Sequence, residues 1–146
     1  PLDNVNALLS FAYSLLASDC AAALEGAGLD PYVGFLHRAR PGRRSLALDL
    51  MEELRAVLAD RFVLSCINQK VLSAKHFEKQ ENGAVLLTEE GRRAFLNAWQ
   101  QKKREVITHP FLKEKLCWGL VPYVQALLLA RTLRGDLEVY PPFFWK

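Results

Sequence analysis

The residues best suited to chemistry form one short block that combines a histidine with basic and acidic side chains. Asp49 and Glu52 lie three residues apart, so a helix places both carboxylates on one side. Imidazole and carboxylate groups bind divalent metals, and such a mixed set of ligands suits Mn²⁺ or Mg²⁺. Arginine side chains bind phosphate. The block therefore indicates metal-dependent chemistry on a nucleic acid. It consists of His37, the arginines Arg38, Arg40, Arg43 and Arg44, and the acidic pair.

A plainer interpretation of the same residues stays open. One histidine after an apolar run is commonly a packed or solvated side chain. An acidic face opposite a leucine face is commonly only solvated. Four arginines in one loop are often no more than a soluble loop. Under this interpretation, the block has no chemical role.

Hydrophobic spacing predicts the elements that hold the block. Residues 3–25 are predicted to form a helix that is capped by Asp3 and ends near two glycines. Ser45 can cap a second helix to about residue 60, with more helix to about residue 73. One face of this helix is apolar, and it comprises Leu46, Leu50, Leu54, Val57 and Leu58. The opposite face is acidic, and it comprises Asp49, Glu52 and Glu53.

The second half of the chain is predicted to form one hairpin and two further helices. Asn82-Gly83 is a strong turn signal between short strands at 76–79 and 84–87. A helix follows from the cap Thr88 to about residue 105, and His109-Pro110 breaks the pattern. A last helix is predicted over 111–134, with a kink at Pro122 and a cap at Gly135. The fold class is therefore mainly all-α, a bundle-like domain with one small β-hairpin.

Length and composition set the outer bounds. The 146 residues suffice for a single domain, 1–146, with a real core, and a net charge of +3 permits nucleic-acid binding without requiring it. The three cysteines lack disulfide or metal-knuckle spacing, so we expect buried thiols in a reducing compartment. No apolar run is expected to reach the length of a membrane span, and no signal peptide is visible. We therefore expect a cytoplasmic protein with no membrane partner.

Several motifs also resemble a known protein family. Residues 28–37 and the run Asp49-Leu50-Met51-Glu52-Glu53-Leu54-Arg55 closely resemble the C-terminal helical domain of the CRISPR-associated spacer integrase. The likeness covers essentially the whole chain and is most specific between His37 and Arg55. Further matching segments are the opening residues 1–11, Asn68-Gln69-Lys70, Leu86-Leu87-Thr88-Glu89-Glu90-Gly91, residues 125–135 and Tyr140-Pro141-Pro142-Phe143.

The resemblance implies a metal-dependent DNA endonuclease and integrase that inserts spacer DNA into a repeat array. It implies a metal triad of glutamate, histidine and an acidic residue. His37 matches the histidine, and Glu52 is the first choice for the acidic ligand, with Asp49 beside it. In that family, the first glutamate and an N-terminal β-rich dimerisation domain precede the residue equivalent to Pro1. The chain is therefore expected to be a C-terminal fragment with an incomplete triad and little activity of its own.

The expected partners follow from the same resemblance. They are DNA, a second copy of the full-length protein and a small ferredoxin-like protein. The alternative is a non-catalytic helical module that binds DNA or protein through the basic loop and the aromatic tail. The integrase and the non-catalytic module require different geometries. Only a metal site needs His37 and a carboxylate of Glu52 or Asp49 to face one open pocket.

Overall fold

The computed structural model of the chain describes residues 3–32 and 45–145. The elements follow one another as α1 (Asn4–Gly26), α2 (Ser45–Leu54), a π-helical turn (Arg55–Asp60), α3 (Arg61–Asn68), β1 (Phe77–Lys79), β2 (Val85–Leu87), α4 (Glu89–Arg104), β3 (Val106–Thr108), β4 (Lys115–Cys117) and α5 (Val121–Leu133). Two short 3₁₀ turns, Ala74–His76 and Trp118–Leu120, precede β1 and α5. The prediction of a mainly helical fold is confirmed.

Helix α1 runs through the core and begins where the sequence indicates. The Asp3 side chain accepts a hydrogen bond from the backbone N–H of Asn6 at 2.8 Å, which satisfies one donor of the first turn. Gly28, with φ of 79°, follows the C-terminus in the left-handed conformation that glycine favours. By length and composition alone, α1 could cross a membrane, so the expectation that no apolar run reaches the length of a membrane span is wrong. Its apolar side chains pack in the core instead, and the fully buried ones include Ala12, Leu16, Cys20 and Leu24.

The helical segment that begins at Ser45 is not one regular helix, and it ends earlier than the sequence predicts. Helix α2 passes into the π-helical turn and then into α3, and the helix ends at Asn68 rather than near residue 73. Lys70, with φ of 54°, turns the backbone out of the helix, and its N–H still bonds to the carbonyl of Ile67 at 3.2 Å. A π turn inserts one extra residue per turn, which a simple helical wheel does not anticipate.

The first hairpin and α4 are confirmed. Strands β1 and β2 pair antiparallel, with Phe77 opposite Leu87 and Lys79 opposite Val85. In the turn, the Asn82 side chain accepts a hydrogen bond from the N–H of Ala84 at 3.0 Å. The Thr88 hydroxyl caps α4 by accepting from the N–H of Gly91 at 3.0 Å.

The predicted helix over 111–134 is wrong before residue 121. Residues 106–108 and 115–117 form a second antiparallel hairpin, with Val106 opposite Cys117. The run Val-Ile-Thr before His109 is β-branched and favours a strand. Helix α5 begins only at Val121, so Pro122 lies in the first turn, where its missing N–H costs nothing, and it does not kink the helix. Gly135, with φ of 86°, follows the end of α5 as predicted.

Aromatic side chains hold the core together. Phe95 and Trp99 of α4 lie 5.0 and 5.1 Å from the ring of Phe62, measured between ring centroids. Trp118 is also buried, and it contacts the C-terminal tail through Phe143 and Trp145 at 5.8 and 5.3 Å, measured between ring centroids. The tail, which we define as residues 136–145, lies outside helices and strands but packs on its own domain.

Candidate active site on helix α2

The N-terminus of α2 is fixed by the backbone of the segment that follows α1. The carbonyl of Pro31 accepts hydrogen bonds from the N–H groups of Leu46 at 2.8 Å and Ala47 at 3.1 Å. These are donors that a helix leaves without partners inside its own first turn. The side chains of Leu46, Leu50 and Leu54 are buried, as the apolar spacing predicts. Helix α2 is thus held at its start and along its inner face.

An open cavity of about 650 Å³ lies beside α2. Helix α2, helix α5 and the C-terminal tail each contribute to its wall. Most of the lining is apolar, and the acidic residues come only from α2. The lining residues are Leu46, Asp49, Leu50, Glu52, Glu53, Leu129, Thr132, Leu133, Tyr140 and Pro142.

The acidic residues of α2 do not form the uniformly solvated face that the helical wheel indicates. Asp49 is 6% exposed and counts among the buried residues, whereas Glu52 is exposed. Glu53 is half-buried. The tail covers part of this face through its contacts with Glu53. Asp49 and Glu52 both line the cavity, although Leu46 and Leu50 of the apolar face line it as well.

Glu52 is oriented by an arginine one turn further along. Its Oε1 lies 3.1 Å from Nη1 of Arg55. The Arg55 guanidinium lies over the ring of Tyr13, with Cζ 5.9 Å from the ring centroid. The Tyr13 hydroxyl donates to Asp60 at 2.5 Å, and this hydrogen bond to a carboxylate raises the pKa of the phenol. A chain of contacts therefore connects Glu52 to α1 and to the π-helical turn.

Glu53 is the principal residue that the sequence analysis missed. The Tyr140 hydroxyl donates to its carboxylate at 2.8 and 2.9 Å, and the N–H of Phe143 donates at 3.1 Å. The Gln125 carboxamide lies at 3.4 Å. Burial raises the pKa of Glu53, and the hydrogen bonds from Phe143, Tyr140 and Gln125 oppose that shift. Nothing in the local sequence connects Glu53 with partners 72 to 90 positions away.

The hydrogen bonds at Glu53 continue into a buried network. His109 Nδ1 accepts from the N–H groups of Phe111 and Leu112, both at 3.1 Å. Its Nε2 must therefore carry the proton, which it donates to Oε1 of Gln125 at 2.7 Å. The Gln125 amide in turn donates to the Tyr140 hydroxyl at 2.7 Å. His109 and Gln125 are both 0% exposed, so this histidine has a structural role.

The remaining predicted site residues lie outside the described residues. These are His37 and the arginines Arg38, Arg40, Arg43 and Arg44. A common pocket for His37 and the α2 carboxylates thus stays a prediction. Within residues 3–32 and 45–145, no three histidine, cysteine or acidic side chains come close enough to hold a metal ion. The carboxylates of Asp49 and Glu52 at the cavity nevertheless suit a hard divalent cation, because Mg²⁺ and Mn²⁺ prefer oxygen ligands.

Comparisons with known proteins agree with this architecture. The family model described as CRISPR-associated protein Cas1 matches residues 1–101. The chain is 62% identical to a protein named CRISPR-associated endonuclease Cas1 2 from Rhodospirillum rubrum, over all of the chain and 42% of that relative. The chain thus spans less than half the length of this relative.

Two solved structures are similar in fold and in sequence. A casposase bound to integration product superposes with a TM-score of 0.87 at 30% identity, over 99% of this chain and 42% of the casposase chain. A partial Cas6-RT-Cas1–Cas2 complex gives a TM-score of 0.78 at 27% identity, over 100% of this chain and 43% of the matched chain. The chain belongs to the CRISPR-associated protein Cas1 family.

Proposed function

We propose that this chain is part of a metal-dependent DNA endonuclease and integrase that inserts spacer DNA into a CRISPR repeat array. The observation that carries the proposal is the pair of carboxylates, Asp49 and Glu52, on the wall of one open cavity. Relatives named CRISPR-associated endonucleases support the cleavage activity. Similarity to a casposase bound to integration product supports strand joining.

The proposed ligands of Mg²⁺ or Mn²⁺ are Glu52, Asp49 and, from outside the described residues, His37. When bound, such an ion supplies polarisation of a phosphodiester and activation of the attacking oxygen. Glu52 and Asp49 provide oxygen ligands and negative charge at the cavity wall. Arg55 limits the orientations of the Glu52 carboxylate through their 3.1 Å contact. The four arginines that follow His37 neutralise the DNA phosphates: Arg38, Arg40, Arg43 and Arg44.

The proposed partners are DNA, a second copy of the full-length protein and a small ferredoxin-like protein. Similarity to a chain of a Cas6-RT-Cas1–Cas2 complex supports a multi-protein assembly. We place the activity in the cytoplasm, where chromosomal DNA is accessible. The resemblance also implies a further glutamate ligand from an upstream domain, so the 146-residue chain is proposed to have little activity by itself.

The test compares Glu52→Gln with Glu81→Gln in the full-length protein. Both variants remove one carboxylate charge, but the exposed Glu81 lies in the turn between β1 and β2, whereas Glu52 lines the cavity. Cleavage and strand joining are measured on labelled DNA with Mg²⁺ or Mn²⁺. We expect Glu52→Gln to lose activity on the order of a hundredfold or more, because a displaced reacting group alone costs that much. Full activity of Glu52→Gln would contradict the proposal and favour the non-catalytic module.

A further inference from the structure

The C-terminal tail is fastened to α2 by hydrogen bonds that end on one carboxylate. The Tyr140 hydroxyl and the N–H of Phe143 both donate to Glu53, at 2.8 and 3.1 Å. Since the tail has no helix or strand within residues 136–145, such side-chain contacts and ring packing must hold it in place. Phe143 is 4% exposed and its ring stacks on Trp145, with ring centroids 5.9 Å apart. Glu53 thus connects a packed tail to α2.

The hydrogen bonds of the buried network include a series that ends on Glu53. Backbone N–H groups of the β3–β4 turn donate to His109, which donates to Gln125. Gln125 donates to Tyr140, which donates to Glu53. A carboxylate is the natural end of such a series, because it accepts hydrogen bonds without donating any. Hydrogen bonds to a charged acceptor are stronger than those between neutral groups.

Glu53 is also adjacent to the residues that carry the proposed function. Glu52 precedes it directly, and Asp49 lies one helical turn earlier. All three line the same cavity, and the tail supplies Tyr140 and Pro142 to the facing wall. A tail that moved away from Glu53 would therefore change both the position of α2 and the shape of the cavity.

We propose that Glu53 is a positioning residue for this site, and that it holds Asp49 and Glu52 of α2 in register by binding Tyr140 and Phe143 of the tail. This inference rests on the proposed function, because it assumes that the carboxylates of Asp49 and Glu52 act on DNA. Glu53 itself touches neither DNA nor a bound ion in this proposal. Its effect reaches the reaction only through the backbone and side chains of α2.

The first experiment removes a single donor. Tyr140→Phe in the full-length protein deletes the hydroxyl that bonds to Glu53 and Gln125, and Tyr123→Phe is the matched control, since Tyr123 is an exposed residue of α5. We measure kcat for strand joining at saturating DNA, the Kd for DNA, and hydrogen exchange of α2 amides without metal. We expect kcat to fall on the order of tenfold, faster exchange in α2, and an unchanged Kd. Unchanged kcat and exchange would overturn the inference.

The second experiment uses rescue by a conservative variant. Glu53→Gln keeps an oxygen that accepts from Tyr140 and Phe143, whereas Glu53→Ala keeps none. We expect the glutamine variant to retain most of its kcat and the alanine variant to lose on the order of a hundredfold, at equal DNA affinity. Equal losses in the two variants, or full kcat in folded Glu53→Ala, would overturn the positioning role.

The reference for both experiments is Glu52→Gln. An active Glu52→Gln protein would show that the proposed function itself is wrong. An inactive Glu52→Gln protein together with fully active Tyr140→Phe and Glu53→Ala proteins would refute only the positioning role of Glu53.

Discussion

Phe95 is a fully buried member of the aromatic core. It is 0% exposed, and its ring centroid lies 5.0 Å from that of Phe62 and 5.5 Å from that of Phe11. Truncation of such a side chain removes its burial and leaves a cavity. We expect Phe95→Ala to lower the free energy of unfolding by about 3–5 kcal/mol, measured by denaturant titration.

Phe144 provides the matched control for this substitution. Its side chain is 77% exposed in the tail, so Phe144→Ala removes the same atoms with little loss of burial. We expect a change within about 0.5 kcal/mol, as for most surface substitutions. Equal effects of the two alanine variants would mean that the α1–α3–α4 packing is not as described.

The residues of the candidate site differ in how well the sequence alone predicts their roles. Asp49 and Glu52 can be found from spacing, since residues three apart on a helix share a side. Glu53 cannot, because its role depends on Tyr140, 87 positions away, and on a tail without regular structure. The burial of Asp49 is equally inaccessible, because it depends on which neighbours cover α2.

At the scale of elements, α4 approaches the 3₁₀ turn before β1 unusually closely at Gly91. A Cβ added to Gly91 would lie 2.6 Å from the carbonyl oxygen of His76 and 2.9 Å from its Cβ. Alanine favours a helix over glycine by about 1 kcal/mol, so propensity alone predicts that Gly91→Ala is stabilising. Because the clash involves backbone, we expect the opposite sign, a loss of about 1–3 kcal/mol measured by thermal or denaturant unfolding.

Gly26→Ala is the control for the effect of helix propensity without a steric clash. Gly26 is the last residue of α1, and a Cβ added there meets nothing within 4 Å. We therefore expect Gly26→Ala to be neutral or slightly stabilising. If Gly91→Ala proved as stable as Gly26→Ala, α4 and the 3₁₀ turn before β1 would have to lie further apart.

The elements that were predicted correctly carry their signals within a few residues. Asp3 caps α1, Asn82-Gly83 turns the first hairpin and Thr88 caps α4, and each is a local interaction. The second hairpin lacks an Asn-Gly turn. Its closing contacts are backbone bonds between His109 and the residues at 113 and 114. The helical periodicity of α5 therefore predicts a helix that begins too early, at residue 111 instead of Val121.

At the scale of the whole molecule, the tail connects elements that lie far apart in the sequence. It returns from the end of α5 to contact α2 through Glu53 and the 3₁₀ turn before α5 through Trp118. Hydrophobic periodicity identifies helices separately and contains no information on such a return path. Two aromatic residues of the tail, Phe143 and Trp145, pack on Trp118 of the same domain, whereas Phe144 is exposed.

We expect the 146-residue chain to fold by itself, because its helices enclose a cluster of buried apolar side chains. Helix α1 packs against α2 and α5, and α4 closes the core through Phe95 and Trp99. We expect the isolated chain to unfold cooperatively, measured by circular dichroism during heating. We nevertheless expect it to have little or no cleavage or joining activity, because the chain spans only 42% of its Rhodospirillum rubrum relative.

We attribute the expected inactivity to incomplete ligation of the metal ion at the proposed site. Two or three protein ligands leave Mg²⁺ or Mn²⁺ mostly hydrated and loosely held, and the resemblance assigns one further glutamate to the upstream domain. A reacting group displaced by about 1 Å can cost on the order of a hundredfold in rate. The measurement compares equal molar amounts of the 146-residue chain and the full-length protein in a metal-dependent joining assay, with Glu52→Gln as the inactive reference. Robust turnover by the 146-residue chain that disappears in His37→Ala would mean that its own residues complete the site.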